Sequence, residues 1–247
     1  MINILLIVLL ILMLYVGGNR GIKLFISLII NFFILMLVFY FIALGINSII
    51  LSLLGSILIS TIILYFVNGK NIKTESAFYS VIIVLILLAV SIFIITEKTR
   101  IAGFGYESYE EINMFSYDVG IDFSKITTAL ILIGLIGSTT DSAIAVSSAL
   151  YEVYQNNKNL GSKELIKSGL NIGKDILGTT ANTLLFAFLG SFMTLIIWFI
   201  TCKYNVFDIL NNKTFQEEYI QSIFSLIGCI LIIPITVLTT TLKIKKQ

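Results

Sequence analysis

The sequence predicts an all-α membrane protein, a polytopic helical bundle of about seven transmembrane helices. Hydrophobic residues make up 57% of the chain and the mean hydropathy is +1.01, whereas soluble domains are about 45–50% apolar. The chain also divides into long apolar runs separated by short polar links. A run of about 20 apolar residues is long enough to cross a bilayer as a helix. Together, these two observations predict the fold class.

The composition also limits the number of domains and the classes of function. With 12% charged residues and one proline, Pro234, there is little material for a separate soluble domain. We therefore expect residues 1–247 to form a single integral membrane domain. The net charge of +2 and the scattered lysines do not form the basic stripe of a nucleic-acid-binding protein. Histidine is absent, and Cys202 and Cys229 have no ligand spacing, so we expect no metal and no cofactor.

The predicted spans follow one another along the whole chain. The first, Ile2 to Val16, is short and is followed by a basic turn at residues 17–23. The next predicted spans cover about 24–44, 46–67 and 77–96. The remaining ones are the run around Asp141, then about 175–202 and 219–242. A bilayer tolerates the short first run through tilt and local thinning.

Two of the polar links carry structural predictions of their own. Residues 151–174 contain Leu160, Leu165, Ile166 and Leu170 at helical spacing among lysines. This pattern predicts an amphipathic helix that lies against the membrane surface. Residues 97–124 combine carboxylates with aromatic side chains, which is typical of a segment at the membrane interface. A solvated acidic loop and a cation site are both compatible with that segment.

The distribution of lysine and arginine predicts the orientation. Alternate links and the carboxyl-terminal tail place eleven of the 16 basic residues on one side and five on the other. Basic residues are enriched in the cytoplasmic loops of membrane proteins. We therefore expect the amino terminus outside, and the carboxyl terminus and the amphipathic helix in the cytoplasm.

Asp141 is the residue that most requires a functional explanation, because it lies near the middle of an apolar helical run, residues 133–152. An ionised Asp at the bilayer centre costs about 2.5–3.5 kcal/mol on insertion scales, so it should face protein or water and have a partner. We expect its face to pack against another helix, since small and hydroxyl side chains favour such contacts. That face and the adjoining row include Gly134, Ser138, Thr140, Ala145, Ser148 and Glu152. The opposite side, which we expect to contact lipid, carries Leu132, Leu135, Ile136 and Val146.

A second polar face is predicted at the start of the span 175–202, in the segment DILGTTANT. Asp175, Gly178, Thr179 and Asn182 share one side of a helix there and form a natural docking partner for the Asp141 face. Asp175 has an alternative role as a carboxylate that interacts with the positive end of the helix dipole. The candidate site is therefore Asp141 as the ion-coupling residue. Its supporting polar residues are Ser138, Thr140, Ser148, Asp175, Thr179 and Asn182.

Two interpretations of Asp141 remain open. In the first, the residue carries a proton or a cation, and its charge state changes which helix packing is favoured. In the second, it is a permanently neutral hydrogen-bonding clamp between helices. An intramembrane protease with two aspartates would need Asp141 and Asp175 at a similar depth. Because we expect Asp175 near the cytoplasmic edge and Asp141 several turns deeper, we predict that the protein is not an enzyme.

Three segments carry a resemblance to a known family: GGNRGIKLFISLIINF, STTDSAIAVSSALYEVYQNN and SGLNIGKDILGTTANTLLFAFLGS. Through them, the chain resembles the bacterial YibE/F family of multi-pass membrane proteins along most of its length. Members of the YibE type have a sizeable soluble domain near the amino terminus, and we expect this chain to be of the shorter YibF type. The resemblance implies a bacterial cytoplasmic membrane, and a YibE-type membrane partner or a second copy of the chain as the partner.

A more distant resemblance concerns the order of an Asp-bearing helix, a basic helix and a Thr-rich helix. This order is similar to the proton-relay region of RND-type transporters and of the SecD/SecF translocon subunits. It implies a six-helix core preceded by one amino-terminal helix, with Asp141 as the coupling acid facing Thr179, Thr180 and Asn182. Those families often carry two adjacent acids, whereas Ser142 follows Asp141 here. We therefore predict a subunit of a transport or export-related complex, coupled to a proton or cation. The alternative is a non-transporting scaffold or accessory subunit.

Overall fold

The structure, a computed structural model, describes residues 2–99 and 123–246. Within these two ranges the chain forms α-helices and one π-helical segment, and no strand occurs in them. The helices are α1 (Ile2–Ala43), α2 (Ser48–Thr61), the π-helix Ile62–Phe66, α3 (Ile72–Thr99), α4 (Phe123–Asn156), α5 (Ser162–Thr201), α6 (Val206–Asn211) and α7 (Lys213–Lys245). Most of the acidic aromatic segment predicted at residues 97–124 lies outside the described residues.

Six helices of the described ranges are long and apolar enough to cross a membrane: α1, α2 with its π-helical extension, α3, α4, α5 and α7. The predicted all-helical polytopic bundle is therefore confirmed. The number differs from the predicted seven because the first two predicted spans are joined in α1. An interruption remains at Gly18, where φ is 53° and ψ is −135°, a conformation that glycine adopts without a steric penalty.

The interruption at Gly18 bends α1 sharply. Gly21 lies directly against the backbone of Met13, although eight residues of straight helix would separate them by about 12 Å. The two halves of α1 are therefore not coaxial. The basic turn predicted at residues 17–23 lies at this bend.

The predicted amphipathic surface helix is not a separate element. Residues 162–174 are the first turns of α5, which continues without a break to Thr201. Leu165 is fully buried, and Gly169 and Gly173 lie against α7 where an added Cβ would meet Val237 or Ile233. Three of the apolar residues that predict a membrane-surface helix, Leu160, Leu165 and Ile166, therefore pack against protein, whereas Leu170 is exposed.

The core lies between α3, α4 and α7, and the α3–α4 and α4–α7 pairs make the most extensive interhelical contacts in the described ranges. Leu88, Leu135 and Ile232 contribute one buried side chain from each of these helices to a single apolar cluster. Helix α2 packs on α4, and α5 packs on α7 and on the carboxyl-terminal part of α4. Helix α4 is therefore at the centre of the bundle and positions Asp141.

Hydroxyl pairs connect the helices inside the core. Ser80 Oγ lies 2.7 Å from Thr239 Oγ1 between α3 and α7, and Thr96 Oγ1 lies 2.7 Å from Thr128 Oγ1 between α3 and α4. In a bilayer the hydrophobic effect does not drive helices together, so close packing and hydrogen bonds of this kind contribute to their association.

One end of the bundle is tied together by charged side chains. Lys73 Nζ lies 3.5 Å from Glu152 Oε1 between α3 and α4, and Lys243 Nζ lies 2.6 Å from Glu75 Oε2 between α7 and α3. Lys245 Nζ donates to the carbonyl oxygen of Leu160 at 2.7 Å, just before α5. We call this the basic end. It contains the start of α3, the ends of α4 and α7, and the start of α5.

Candidate functional site

Asp141 lies near the middle of α4 on a side that the other described residues leave largely uncovered. Gly134, Gly137, Asp141 and Ala145 are all exposed, and they recur at the spacing of one helix face. We call these four residues the open stripe. The remaining sides of α4 are in contact with α2, α3 and α7. The stripe is therefore the most open side of an otherwise central helix in the described ranges.

This arrangement reverses the predicted orientation of α4. We expected lipid at Leu132, Leu135, Ile136 and Val146, but all four are buried, with 0–4% of their surface exposed. Long aliphatic side chains fill the spaces between neighbouring helices and gain dispersion contacts there. The glycines of the stripe have no side chain with which to do so. The expectation that this small-residue face packs within the chain is therefore wrong in the described structure.

The Asp141 carboxyl makes no hydrogen bond and no ion pair with the described residues. Its neighbours direct their hydroxyls elsewhere. Ser138 Oγ donates to the backbone oxygen of Leu135 at 3.1 Å, and Ser142 Oγ donates to Cys229 Sγ at 3.7 Å. A carboxyl at membrane depth needs water, an ion or another polypeptide as its partner, and none of its neighbours in α4 takes that role.

Asp141 is close to the mid-height of the bundle. The contact between Ser142 and Cys229 places it beside the middle of the apolar segment 219–242 of α7. The other hydroxyl residues predicted on α4 are distributed around the helix. Thr140 is buried, with its Oγ1 3.5 Å from Ser60 Oγ of α2, and Ser148 is half-buried towards the basic end.

The second predicted polar face does not meet Asp141. Asp175, Thr179 and Asn182 are exposed, and they lie on the side of α5 away from Gly173, which packs against α7. Thr180 is half-buried on the packed side. The structure therefore separates Thr180 from the other three residues. It leaves those three facing outwards.

Asp175 is neither a capping residue nor close to the end of its helix. It lies about three and a half turns after Ser162, the first residue of α5. Gly173 contacts Ile233 and Ser142 contacts Cys229 on α7, so Asp175 and Asp141 differ in height by about one turn. The predicted separation of several turns is wrong. Because Asp175 faces away from α7, the two carboxylates still do not form a catalytic pair.

A polar cavity of about 400 Å³ lies at one end of the open stripe. Glu217 and Glu218 of α7 give it a wall of carboxylates, and Gly134 of α4 contributes to its floor. The Gln221 side chain lies so close to Gly134 that a Cβ there would overlap its amide. We call this the acidic cavity. No group of three or more His, Cys, Asp or Glu side chains that could hold a metal ion occurs here or elsewhere in the described ranges.

A second polar cavity, of about 530 Å³, lies at the basic end. Ser148 and Glu152 of α4 line one side of it. The other side is formed by the bend of α1 and the turn between the π-helix and α3, including Asn19, Arg20, Lys23, Asn68, Asn71 and Lys73. We call this the basic cavity. Gly134, Asp141 and Ser148 are seven residues apart in turn, which is about two helical turns, so one side of α4 runs from the acidic cavity past Asp141 to the basic cavity.

The comparison with known families is decisive for the identity of the chain. The sequence profile of YibE/F-like proteins matches residues 5–246. The chain belongs to the YibE/F-like family. The matched region includes nearly all of α1, the whole of α2 to α7, both cavities and Asp141, so the whole site of this YibE/F-like protein lies within it. No curated protein and no solved structure gives a significant match. The resemblance based on the three segments is confirmed, whereas none of the comparisons shows the more distant likeness to RND transporters and SecD/SecF.

Sequence reasoning missed both cavities of this YibE/F-like protein. The distribution of lysine and arginine predicts only the orientation, and Glu217 lies in the short link between the last two predicted spans. A signal for the basic cavity is nonetheless present in the sequence. The segments GGNRGIK and NGKNIK both combine glycine, asparagine and basic residues, and alternation of the spans predicts them on the same side of the membrane.

Proposed function

We propose that this YibE/F-like protein is a subunit of a membrane transport or export-related complex that is coupled to a proton or cation through Asp141. One observation carries the proposal. Asp141 is exposed at mid-height, without a partner among the described residues, on a side of α4 that reaches a polar cavity at each end. A carboxyl in that position can exchange a proton or cation with both ends of the bundle.

The physical basis of coupling is the cost of a charge in hydrocarbon. An ionised Asp141 needs a polar environment, whereas a protonated carboxyl is much more easily accommodated beside lipid or a second helix. The charge state of Asp141 would therefore change the preferred packing of the open stripe. At one end, Glu217 and Glu218 create a negative potential that attracts cations.

The open stripe requires cover from a second chain, for which we propose a YibE-type protein or another copy of this chain. Thr179 and Asn182 of α5 are also exposed at a height close to that of Asp141, and they supply hydroxyl and amide groups to such a contact. On this proposal Thr179 and Asn182 act between chains, and the protein is not an enzyme.

We place the protein in the cytoplasmic membrane of a bacterium with the basic end in the cytoplasm, because basic residues favour the cytoplasmic side. The bend at Gly18 then divides α1 into two spans, which gives seven crossings and an amino terminus outside. The whole chain, residues 1–247, acts as one integral membrane domain in this arrangement.

A non-transporting scaffold or accessory subunit is the second candidate. The observation in its favour is the composition of the open stripe, because Gly134, Gly137 and Ala145 are typical of surfaces on which transmembrane helices associate. In that case Asp141 is a hydrogen-bonding clamp to the other chain, since the described part of its own chain offers no partner.

Replacement of Asp141 by Asn distinguishes the ion-coupled transport subunit from the non-transporting scaffold. The complex with the co-expressed YibE-type partner is reconstituted into vesicles that contain a pH-sensitive dye, and the decay of an imposed pH gradient is followed. We expect Asp141→Asn to reduce proton flux to the level of empty vesicles while the complex still assembles, because an amide cannot carry the proton.

The matched control is Asp175→Asn, which removes another exposed carboxylate at a similar height and should retain the wild-type flux. Wild-type flux in Asp141→Asn would refute coupling through Asp141. Absence of flux from the wild-type complex, together with normal assembly of both variants, would favour the scaffold.

A further inference from the structure

The basic cavity is lined by more cationic side chains than carboxylates. Arg20, Lys23 and Lys73 line it together with a single carboxylate, Glu152. Lys73 is already engaged, since its Nζ lies 3.5 Å from Glu152 and 5.2 Å from the ring centre of Tyr151. The charges of Arg20 and Lys23 therefore have no carboxylate opposite them among the described residues.

The two uncompensated cations retain free hydrogen-bond donors. One terminal nitrogen of Arg20 donates to Asn68 Oδ1 at 2.5 Å, but a guanidinium has five N–H groups in a planar fork. Lys23 makes no hydrogen bond and no ion pair in the described ranges. The fork of an Arg matches the oxygens of a phosphate bidentately, and a Lys adds a point charge beside it.

Backbone geometry holds these side chains around the cavity. Gly18 precedes Asn19 and Arg20 with a φ of 53°, and Gly69 follows Asn68 with a φ of 72°. Both turns use conformations that other residues rarely adopt. On the α3 side, Asn71 Oδ1 accepts a hydrogen bond from the Thr74 backbone N–H at 3.0 Å. Two segments that are far apart in the sequence are thus fixed on either side of one space.

We infer that the basic cavity binds a phosphate group, with Arg20 and Lys23 as its principal contacts. The cavity volume of about 530 Å³ lies within the range of about 300–1,000 Å³ for small-ligand sites. Since the cavity lies at an end of membrane-spanning helices, the phosphate belongs to an anionic phospholipid headgroup or to a soluble phosphate compound. The inference goes beyond the proposed function and holds equally if Asp141 carries no ion.

Two binding measurements on the full-length protein distinguish the two sources. In the first, native mass spectrometry in detergent measures the retention of added phosphatidylglycerol relative to phosphatidylcholine. In the second, the protein in phosphatidylcholine nanodiscs is titrated with inorganic phosphate and its melting temperature is recorded. Binding in the first alone identifies a lipid site, and binding in the second identifies a site for soluble phosphate.

The variant Arg20→Gln/Lys23→Gln should weaken binding about tenfold or more in whichever measurement is positive, because each charge-assisted hydrogen bond is strong. The matched control, Lys163→Gln/Lys167→Gln, removes the same charge from exposed residues of α5 near the basic end and should bind as the wild type does.

The single variant Lys23→Gln distinguishes a loss of binding from a loss of folding, since Lys23 has no partner among the described residues. It should weaken binding without lowering the melting temperature of the unliganded protein. Failure of the wild type to bind either probe would overturn the inference. Equal weakening in the α5 control would overturn it as well, because general electrostatic attraction would then suffice.

Discussion

The two sides of α4 differ in how far their residues are buried, although they belong to the same helix. On the packed side, Leu132, Leu135 and Val146 are fully buried among three neighbouring helices. On the open stripe, Gly137 and Asp141 are exposed, and no atom of the described residues lies within 4 Å of the position of a Cβ at Gly137. The difference teaches that this chain folds through its large aliphatic residues. In α4, Gly137 and Asp141 are instead left for contacts outside the described residues.

Helix α5 shows that a small side chain alone does not decide the outcome. Gly173 is buried because the Ile233 side chain of α7 fills the space beside it, whereas Gly178 has no atom within 4 Å of the position of a Cβ. A glycine is therefore buried where a branched side chain of a neighbouring helix fills the space beside its Cα. Gly137 on the open stripe resembles Gly178 in this respect, since it also has nothing within 4 Å.

The largest stability difference is expected between two variants on opposite sides of α4. Leu135→Ala shortens a side chain on the packed side, and Gly137→Ala adds a methyl group on the open stripe. Leu135→Ala should lower the free energy of unfolding by about 2–5 kcal/mol, because it leaves a cavity in the core. Gly137→Ala should change it by less than about 1 kcal/mol, and in the stabilising direction, because Ala has the higher helix propensity. Reversible unfolding of the purified monomer in mixed detergent measures both. Similar losses in the two variants would show that the packed and open sides are wrongly assigned.

A smaller difference is expected between Gly173→Val and Gly178→Val on α5. At Gly173 an added Cβ overlaps the Ile233 side chain, and overpacking of this kind costs about 1–3 kcal/mol. The same change at Gly178 introduces the same β-branched residue into the same helix without a clash. The difference between their melting temperatures in detergent therefore isolates the contact with α7. If the Gly178 variant melted as low as the Gly173 variant, the cost would lie in the helix and not in the packing.

The smallest effect concerns a hydroxyl pair inside the core. Thr128→Val removes the 2.7 Å contact with Thr96 and should cost about 0.6 kcal/mol, the average for interhelical hydrogen bonds in a membrane protein. Thr183→Val on the exposed side of α5 is its control, because Thr183 bonds only to the backbone of its own helix. The double variant Thr96→Val/Thr128→Val should cost no more than the single one, as a mutant cycle would show. Additive losses would mean that the two hydroxyls act independently.

Much of the fold follows from the sequence, because a continuous run of about 20 apolar residues in a bilayer satisfies its backbone hydrogen bonds as a helix. The pattern around Asp141 also identifies the residues that share a side of α4. It does not say which side meets the neighbouring helices, since both Leu135 and Gly137 belong to surfaces on which helices can pack. That choice depends on the shape of α2, α3 and α7, and helical periodicity contains no information about it.

The boundaries and the cavities were less predictable for a related reason. Lysines at residues 158–174 resemble those of a surface helix, but Gly169 and Gly173 pack against α7, which is distant in the sequence. The basic cavity likewise combines residues from α1, α3 and α4 that no local pattern connects. What remained inaccessible to the sequence was in each case a contact between segments far apart in the chain.

The π-helix Ile62–Phe66 affects the direction of the side chains in the turn that follows it. A π-helical turn holds one residue more than an α-helical turn, so it rotates the following residues by about 100°. Asn68, two residues beyond it, accepts the hydrogen bond from Arg20 in the orientation that this rotation creates. A return to regular α-helical pitch would turn the Asn68 side chain away from Arg20 and leave α2 otherwise intact. The π-helical winding of this segment therefore sets the direction of the Asn68 side chain, and with it the hydrogen bond to the Arg20 guanidinium.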